Sequence, residues 1–240
     1  MIVTQTEDVD GAFQRFRVWG GAHRLMRRRI VVMDFASNFI VRDEAELSDL
    51  YEPALERSLR KQIDRLDSYC REFIAASPMV IVGTQSNGAA DNSPRGDIAG
   101  FVHVEDDRTI LIPDRRGNNR LDTLRNIVRN PAIGLLFLVP GVHETFRVNG
   151  EAVISRDPAL TGRFSVQGKL PRTVIVVTVR EAYIHCSRAL VRADLWNPAK
   201  HAAPNTVPSM GKMLARHTCG FVDARVFDDE AKERVPVTLY

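Results

Sequence analysis

The spacing of apolar residues changes several times along the chain, and each change predicts an element. Asp43 or a residue beside it caps a short helix over Glu44–Leu50. From Leu55 onward the steps of four and three place Leu55, Leu59, Ile63, Leu66, Cys70 and Phe73 on one face of a single packing helix, with Pro53 in its first turn and Ser77-Pro78 ending it. At Met79 the period shortens to that of a strand. Residues 79–84 lead into Asn87-Gly88, a hairpin signal because both residues tolerate positive φ, and the return strand runs over 89–93. Pro94 has no N–H to donate, so residues 93–96 are expected to leave regular pairing at an edge or bulge.

A second hairpin joins 100–104 to 109–112. A polar loop, Gly117-Asn118-Asn119-Arg120, precedes a helix over 122–129 with Leu121, Leu124 and Val128 inward, stopped by Asn130-Pro131. Residues 132–139 form a central strand, 145–154 resume the sheet with a bulge or turn at Asn149-Gly150, Asp157 caps a short helix, and 173–184 supply the last strand. Short strands with tight hairpins and few helices indicate an antiparallel barrel, closed on itself, rather than a doubly wound sheet. After Asp194 the chain is Pro-studded, with a helix expected over 210–217 and a charged tail. The organisation expected is a poorly ordered 1–32, a helical 33–78, a barrel over 79–196 and an extension over 197–240.

Charge refines this picture at one end. Six Arg (15, 17, 24, 27, 28, 29) stand in residues 1–32 against Glu7, Asp8 and Asp10; removing them from 33 basic and 30 acidic residues leaves 27 of each. A balanced body argues against nucleic-acid binding, which needs a basic face. Composition becomes regular at Met33, which is expected to be the natural start; the rival reading of 1–32 is a basic arm on an anionic surface. Three cysteines, at 70, 186 and 219, have no metal-ligand spacing and suggest a reducing compartment, so a cytoplasmic location is expected, with no membrane span and no metal.

The polar loop carries the candidate chemistry. A helix N-terminus presents unpaired N–H groups and the positive end of its dipole, and Arg120 adds a planar, permanently charged fork, so phosphate is the first ligand to consider. Arg95, exposed where Pro94 interrupts pairing, is the second cation. The competing reading of Arg95 and Arg120 is surface ion pairing; Asp97 and Asp114 could equally be turn residues. Arg95 and Arg116 are the next candidates for the anion should Arg120 not hold it. His103, His143 and His185 lack ligand spacing, and Ser93 lacks a nucleophile elbow.

The series Asn-Gly hairpin, Ser93-Pro94-Arg95, Ile112-Pro113-Asp114, Asn118-Asn119-Arg120, helix, Asn130-Pro131, apolar strand and Glu144-Thr145-Phe146-Arg147-Val148-Asn149-Gly150 resembles the pyridoxamine 5′-phosphate oxidase-like FMN-binding split-barrel family over roughly residues 43–196. Tyr183-Ile184-His185-Cys186-Ser187-Arg188-Ala189 is similar to its uncharacterised FMN-dependent branch. The resemblance implies a mainly β, α+β fold: an antiparallel split β-barrel with flanking helices, forming a homodimer with flavin at the subunit interface. It implies that Ser93, Pro94 and Arg95 line the flavin and reach its phosphate, that Ile112, Pro113 and Asp114 line the ring, and that Asn118, Asn119 and Arg120 form the phosphate loop. Thr145 and Arg147 would stand near the flavin pyrimidine edge, and Arg188 and Trp196 would face the flavin from the partner subunit. The C-terminal Trp-Arg…Arg motif that holds pyridoxal phosphate in the true oxidases is absent. Two functions follow: a flavin-dependent oxidoreductase on a small substrate, with NAD(P)H as a possible donor, or a non-catalytic FMN carrier or sensor.

Overall fold

The computed structural model describes residues 39–240, so the expectations for 1–32 and for a start at Met33 lie outside the described residues. The chain divides into two units at Pro53 and Ala54. In the first, helix α1 (Glu44–Leu50) is capped by Asp43, whose side chain accepts from the Glu46 amide.

The second unit carries one antiparallel sheet of seven strands with flanking helices, an α+β split-barrel architecture. Its strands are β1 (Met79–Ser86), β2 (Ala89–Gly96), β3 (His103–Val104), β4 (Thr109–Pro113), β5 (Ala132–Leu138), β6 (Thr145–Ser155) and β7 (Val174–His185), in the spatial order β2-β1-β5-β6-β7-β4-β3. The core is aliphatic and aromatic: Ile74, Val80, Val82, Ile110, Leu135, Phe137, Val148 and Val177 are wholly or almost wholly excluded from solvent. On β1 and β5 alternate residues are buried, as a sheet with one face on a core requires.

The hairpin signal is realised: Asn87 and Gly88 both take positive φ, at 52° and 75°, between β1 and β2. The bulge falls at Asn149/Gly150, where the register of β6 against β7 shifts by one residue. Helix α4 (Asp122–Arg129) and the capped turn α5 (Pro158–Gly162) also stand where the pattern places them.

Four expectations are corrected. The apolar stripe from Leu55 to Phe73 is not one helix: α2 (Glu56–Arg60) and α3 (Ser68–Ala76) are separated by an extended stretch in which Ile63 exchanges backbone hydrogen bonds with Ala182 of β7, at 3.0 and 2.8 Å. Asp67 then restarts the helix by accepting from the Cys70 amide, and Leu55 and Leu59 are left exposed. Residues 93–96 do stand at an edge, on β2, as expected, but they do not leave the ladder, since Pro94 pairs with Ile81 in register and an edge strand tolerates its missing donor. The inner face of α4 is Thr123 and Ile127, with Leu124 half in, while Leu121 and Val128 are exposed. Finally, hydrogen bonding does not close the sheet, which keeps β2 and β3 as its two edges.

Beyond α6 (Arg188–Ala193) and a 3-10 turn at Pro198–Lys200, α7 (Met210–His217) lies where expected. The charged tail is largely helical: α8 (Ala224–Val237) starts on Asp223, and its Asp228 carboxylate ties α7 down by accepting from Ser209 Oγ and the Gly211 amide. No helix among the described residues is long and apolar enough to cross a membrane.

Candidate functional site

The two ends of the sheet order come together through charge. Arg95, on edge strand β2, donates from Nη1 to Asp114 Oδ1 at 2.7 Å, just past the end of β4, and both side chains are largely buried. The sheet therefore curls until edge strand β2 and the end of β4, next to the opposite edge, are within side-chain reach. The opening left there is a cleft of about 1080 Å³.

Three segments build its walls. From β2 come Ser93, Pro94 and Arg95; from the end of β4 and the loop after it come Pro113, Asp114, Arg115, Arg116, Asn118, Asn119 and Arg120, followed by the first turn of α4; and the approach to β7 adds Lys169, Arg172 and Thr173. The second and third walls are held together by the β4–β7 ladder, in which Pro113 opposes Val174, and by the Asp114 amide donating to the Thr173 carbonyl at 2.9 Å. Helix α4 is seated by two polar contacts, Thr123 Oγ1 to Asp91 Oδ2 at 2.9 Å and Asn126 Nδ2 to Thr84 Oγ1 at 3.1 Å. Entry to α4 is strained: Asn119 and Leu121 both take left-handed backbone, at φ 59° and 61°. No side chain caps this helix, and its first turn lines the cleft, which therefore lies at the positive end of the helix dipole.

The side chains in the cleft are already partly committed. Asp91 Oδ2 accepts from Ser93 Oγ at 3.0 Å as well as from Thr123, so both hydroxyl protons are used. Arg115 donates from Nε to Asp97 Oδ2 at 2.8 Å and from Nη1 to the Phe164 carbonyl at 2.6 Å. Asp97, with its side chain only 1% exposed, also accepts from the Ile98 amide and from the Tyr240 hydroxyl, and the Tyr240 ring covers the Arg115 guanidinium at 5.5 Å. Burial pushes the Asp97 carboxyl up, but these donors together outweigh it and hold it below its ordinary value. Arg120, 74% exposed, donates from Nε to Asp122 at 2.8 Å. Two buried side-chain atoms without a partner, Arg95 Nε and Thr173 Oγ1, belong to residues of the lining.

Of the residues singled out from sequence, Ser93, Pro94, Arg95, Pro113, Asp114, Asn118, Asn119 and Arg120 are brought together here. Ile112 is fully buried beneath, in the core. Thr145, Arg147, Arg188 and Trp196 do not line this cleft. Thr145 is buried opposite His185, Arg147 donates to the Tyr183 hydroxyl at 3.0 Å, and Trp196 donates to the Val142 carbonyl at 2.8 Å. Arg188 lines a separate groove of about 410 Å³ with Arg57, Lys61, His185 and Cys186. His185 there is held below its ordinary value by burial and by the nearby Arg147 and Lys61 charges.

The sequence pattern passed over Lys169, Arg172, Thr173 and Tyr240. The first three follow a loop with no motif of its own, and Tyr240 lies 143 positions from its partner Asp97. Among the described residues, no three His, Cys, Asp or Glu side chains converge as a metal site would need.

The pyridoxamine 5′-phosphate oxidase family model matches residues 66–186, which contain all seven strands and the β2, β4, α4 and β7 walls of the cleft. No curated protein matches the chain. Among solved structures, Group A Streptococcus HupZ aligns at 18% identity over 50% of this chain and 93% of its own, with a TM-score of 0.42. General Stress Protein 26 from Bacillus anthracis aligns at 17% identity over 47% and 88%, TM-score 0.38, and the FAD binding protein from Mycobacterium smegmatis at 16% over 51% and 97%, TM-score 0.37.

Proposed function

Because the chain belongs to the pyridoxamine 5′-phosphate oxidase family, we propose that it is an FMN-binding flavoprotein, an oxidoreductase acting on a small organic substrate, with FMN held in the β2–β4–α4 cleft. The observation that carries this reading is the uncapped N-terminus of α4 opening, beside a loop rich in Asn and Arg, into a cleft lined by cations. About 1080 Å³ is above the usual range for a small-ligand pocket and leaves room for a planar cofactor beside a second molecule. The residues fit the group: guanidinium and backbone donors suit a phosphate, and the lone pairs of the Ser93 and Thr123 hydroxyls, whose protons go to Asp91, suit ligand hydroxyls or ring N–H groups.

FMN, when bound, supplies the hydride or single-electron chemistry. The chain's part is to hold and orient it. Pro94 and Pro113 offer rigid apolar surface, Arg95 and Asp114 pin the two walls at a fixed separation, and Asn118 and Asn119 contribute polar contacts at the phosphate end. In the homodimer we propose, Arg188 and Trp196, which stand outside the cleft of their own chain, serve the flavin of the partner. Sedimentation of the flavin-loaded protein checks the assembly; a stable loaded monomer at micromolar concentration would remove these two residues from the site.

One feature favours a second reading, a non-catalytic FMN carrier or sensor. Both carboxylates of the lining, Asp114 and Asp122, are paired with arginines, so neither is free to act as a general acid or base. The visible absorption spectrum of purified protein tests the cofactor: a yellow protein releasing FMN on denaturation is expected, and a colourless one that binds no added FMN would refute the proposal. Turnover with NADH or NADPH and an electron acceptor then separates enzyme from carrier.

A further inference from the structure

We infer that the phosphate of the cleft's ligand is gripped by Arg116 and Arg172, two arginines on different walls, and not by Arg120. The inference rests on the reading of the cleft as a site for a phosphorylated ligand and assigns the residues that recognise the phosphate.

Six cationic side chains line the cleft: Arg95, Arg115, Arg116, Arg120, Lys169 and Arg172. Three carry their own counter-ion. Arg95 is paired with Asp114 at 2.7 Å, Arg115 with Asp97 at 2.8 Å and Arg120 with Asp122 at 2.8 Å. Arg115 is further fixed by the Phe164 carbonyl and covered by the Tyr240 ring. Lys169 donates to the main-chain oxygen of Tyr240 at 2.9 Å. Arg116 and Arg172 alone of the six have no hydrogen-bond or ion-pair partner among the described residues, and the only acidic side chains in the lining, Asp114 and Asp122, are taken.

The cleft thus holds more positive charge than its own carboxylates cover, concentrated on two planar donor forks. A phosphate monoester carries about −1.5 to −2 charges at neutral pH and can accept from both forks at once. Arg116 belongs to the loop that leads into α4 and Arg172 to the approach to β7. Those segments are anchored to each other by the Asp114 amide and Thr173 carbonyl, within two residues of both arginines, so the two guanidiniums start from neighbouring points of the cleft wall. Arg120 would bring Asp122 with it: its Nε is bonded to that carboxylate, whose negative charge would stand beside the anion.

The test is a titration of the full chain, freed of bound flavin, with FMN and with riboflavin, which lacks the phosphate, followed by flavin fluorescence. Variants are Arg116→Ala, Arg172→Ala, their combination, and Arg120→Ala as comparator, each checked for fold by circular dichroism. Each single loss at Arg116 or Arg172 is expected to weaken FMN about ten- to a hundredfold and to leave riboflavin unchanged. The double variant should lose the preference for FMN over riboflavin, and Arg120→Ala should keep it. A preserved preference in a folded double variant, or no preference in the wild type, overturns the inference while the flavin reading stands. If the wild type binds neither flavin, the flavin reading falls, and inorganic pyrophosphate decides the inference by thermal shift. Stabilisation of the wild type that the double variant lacks supports it; equal shifts, or none in the wild type, overturn it.

Discussion

The hydroxyl of Tyr240 donates to Asp97 Oδ1 at 2.5 Å, and the other carboxylate oxygen, Oδ2, accepts from Arg115 Nε at 2.8 Å. One buried carboxylate thus links the last residue of the chain to the wall of the cleft. Tyr240→Phe removes one charge-assisted hydrogen bond and keeps the ring over Arg115, so a small loss of stability is expected. Asp97→Asn leaves a largely buried guanidinium without its counter-ion and should cost more, about 2–4 kcal/mol. Urea denaturation of both variants gives the order, and a larger loss for Tyr240→Phe would show that Asp97 does not hold Arg115.

The same carboxylate makes stability depend on pH in a defined direction. Its native pKa lies below its ordinary value, so the unfolded chain takes up the proton first as pH falls. The stabilisation is complete above the ordinary carboxylate value, about 4, and is lost as pH drops through the lower native value. Denaturation curves of wild type and Asp97→Asn, compared between pH 7 and pH 3, should therefore converge towards acid. A gap that stays constant with pH would mean that Asp97 does not titrate with folding.

Gly150 sits at the β6 bulge, where an added Cβ would come within 2.1 Å of the Thr178 carbonyl oxygen on β7. That is a backbone atom of the neighbouring strand and cannot swing away, so Gly150→Ala should cost at least about 3 kcal/mol or prevent folding. Gly117→Ala, with nothing within 4 Å of the new Cβ, is the control and should change stability by less than about 1 kcal/mol. Comparable effects of the two substitutions would argue against the bulge geometry.

Thiol reactivity should divide the three cysteines. Burial above all, with the Asp67 carboxylate beside it, pushes the Cys70 thiol up to about 11, whereas Cys186 and Cys219 are exposed. At pH 8 a disulfide reagent is expected to titrate two thiols in the native protein and the third only in denaturant. Rapid reaction of all three under native conditions would contradict the packing of α3.

Much of the barrel was legible along the chain, because each of its signals is local. Strand alternation, the positive φ of Asn87-Gly88, the Asp caps at 43 and 157 and the stop at Asn130-Pro131 are decided by residues within a turn or two of one another. Eight of the residues singled out as binding candidates meet in one cleft for a related reason: strand ends and the loop before α4 are where a sheet places its irregular backbone. The helical stripe from Leu55 failed because spacing records only a local preference, which tertiary pairing overrode. Backbone bonds from Ile63 to Ala182, 119 positions away, chose between the two.

Pairing between distant charges was equally invisible. Nothing near Arg95 in sequence announces that Asp114 will reach it across the split. The sequence by itself determined which segments are strands, where the bulge and caps fall and which stretch is rich in anion-binding groups. Only the tertiary structure decided which arginines are neutralised and which are left free, and it brought Tyr240 to Asp97. The physical reason is that local backbone preferences act over a few residues, whereas an ion pair or a cleft wall depends on how the curled sheet brings its ends together.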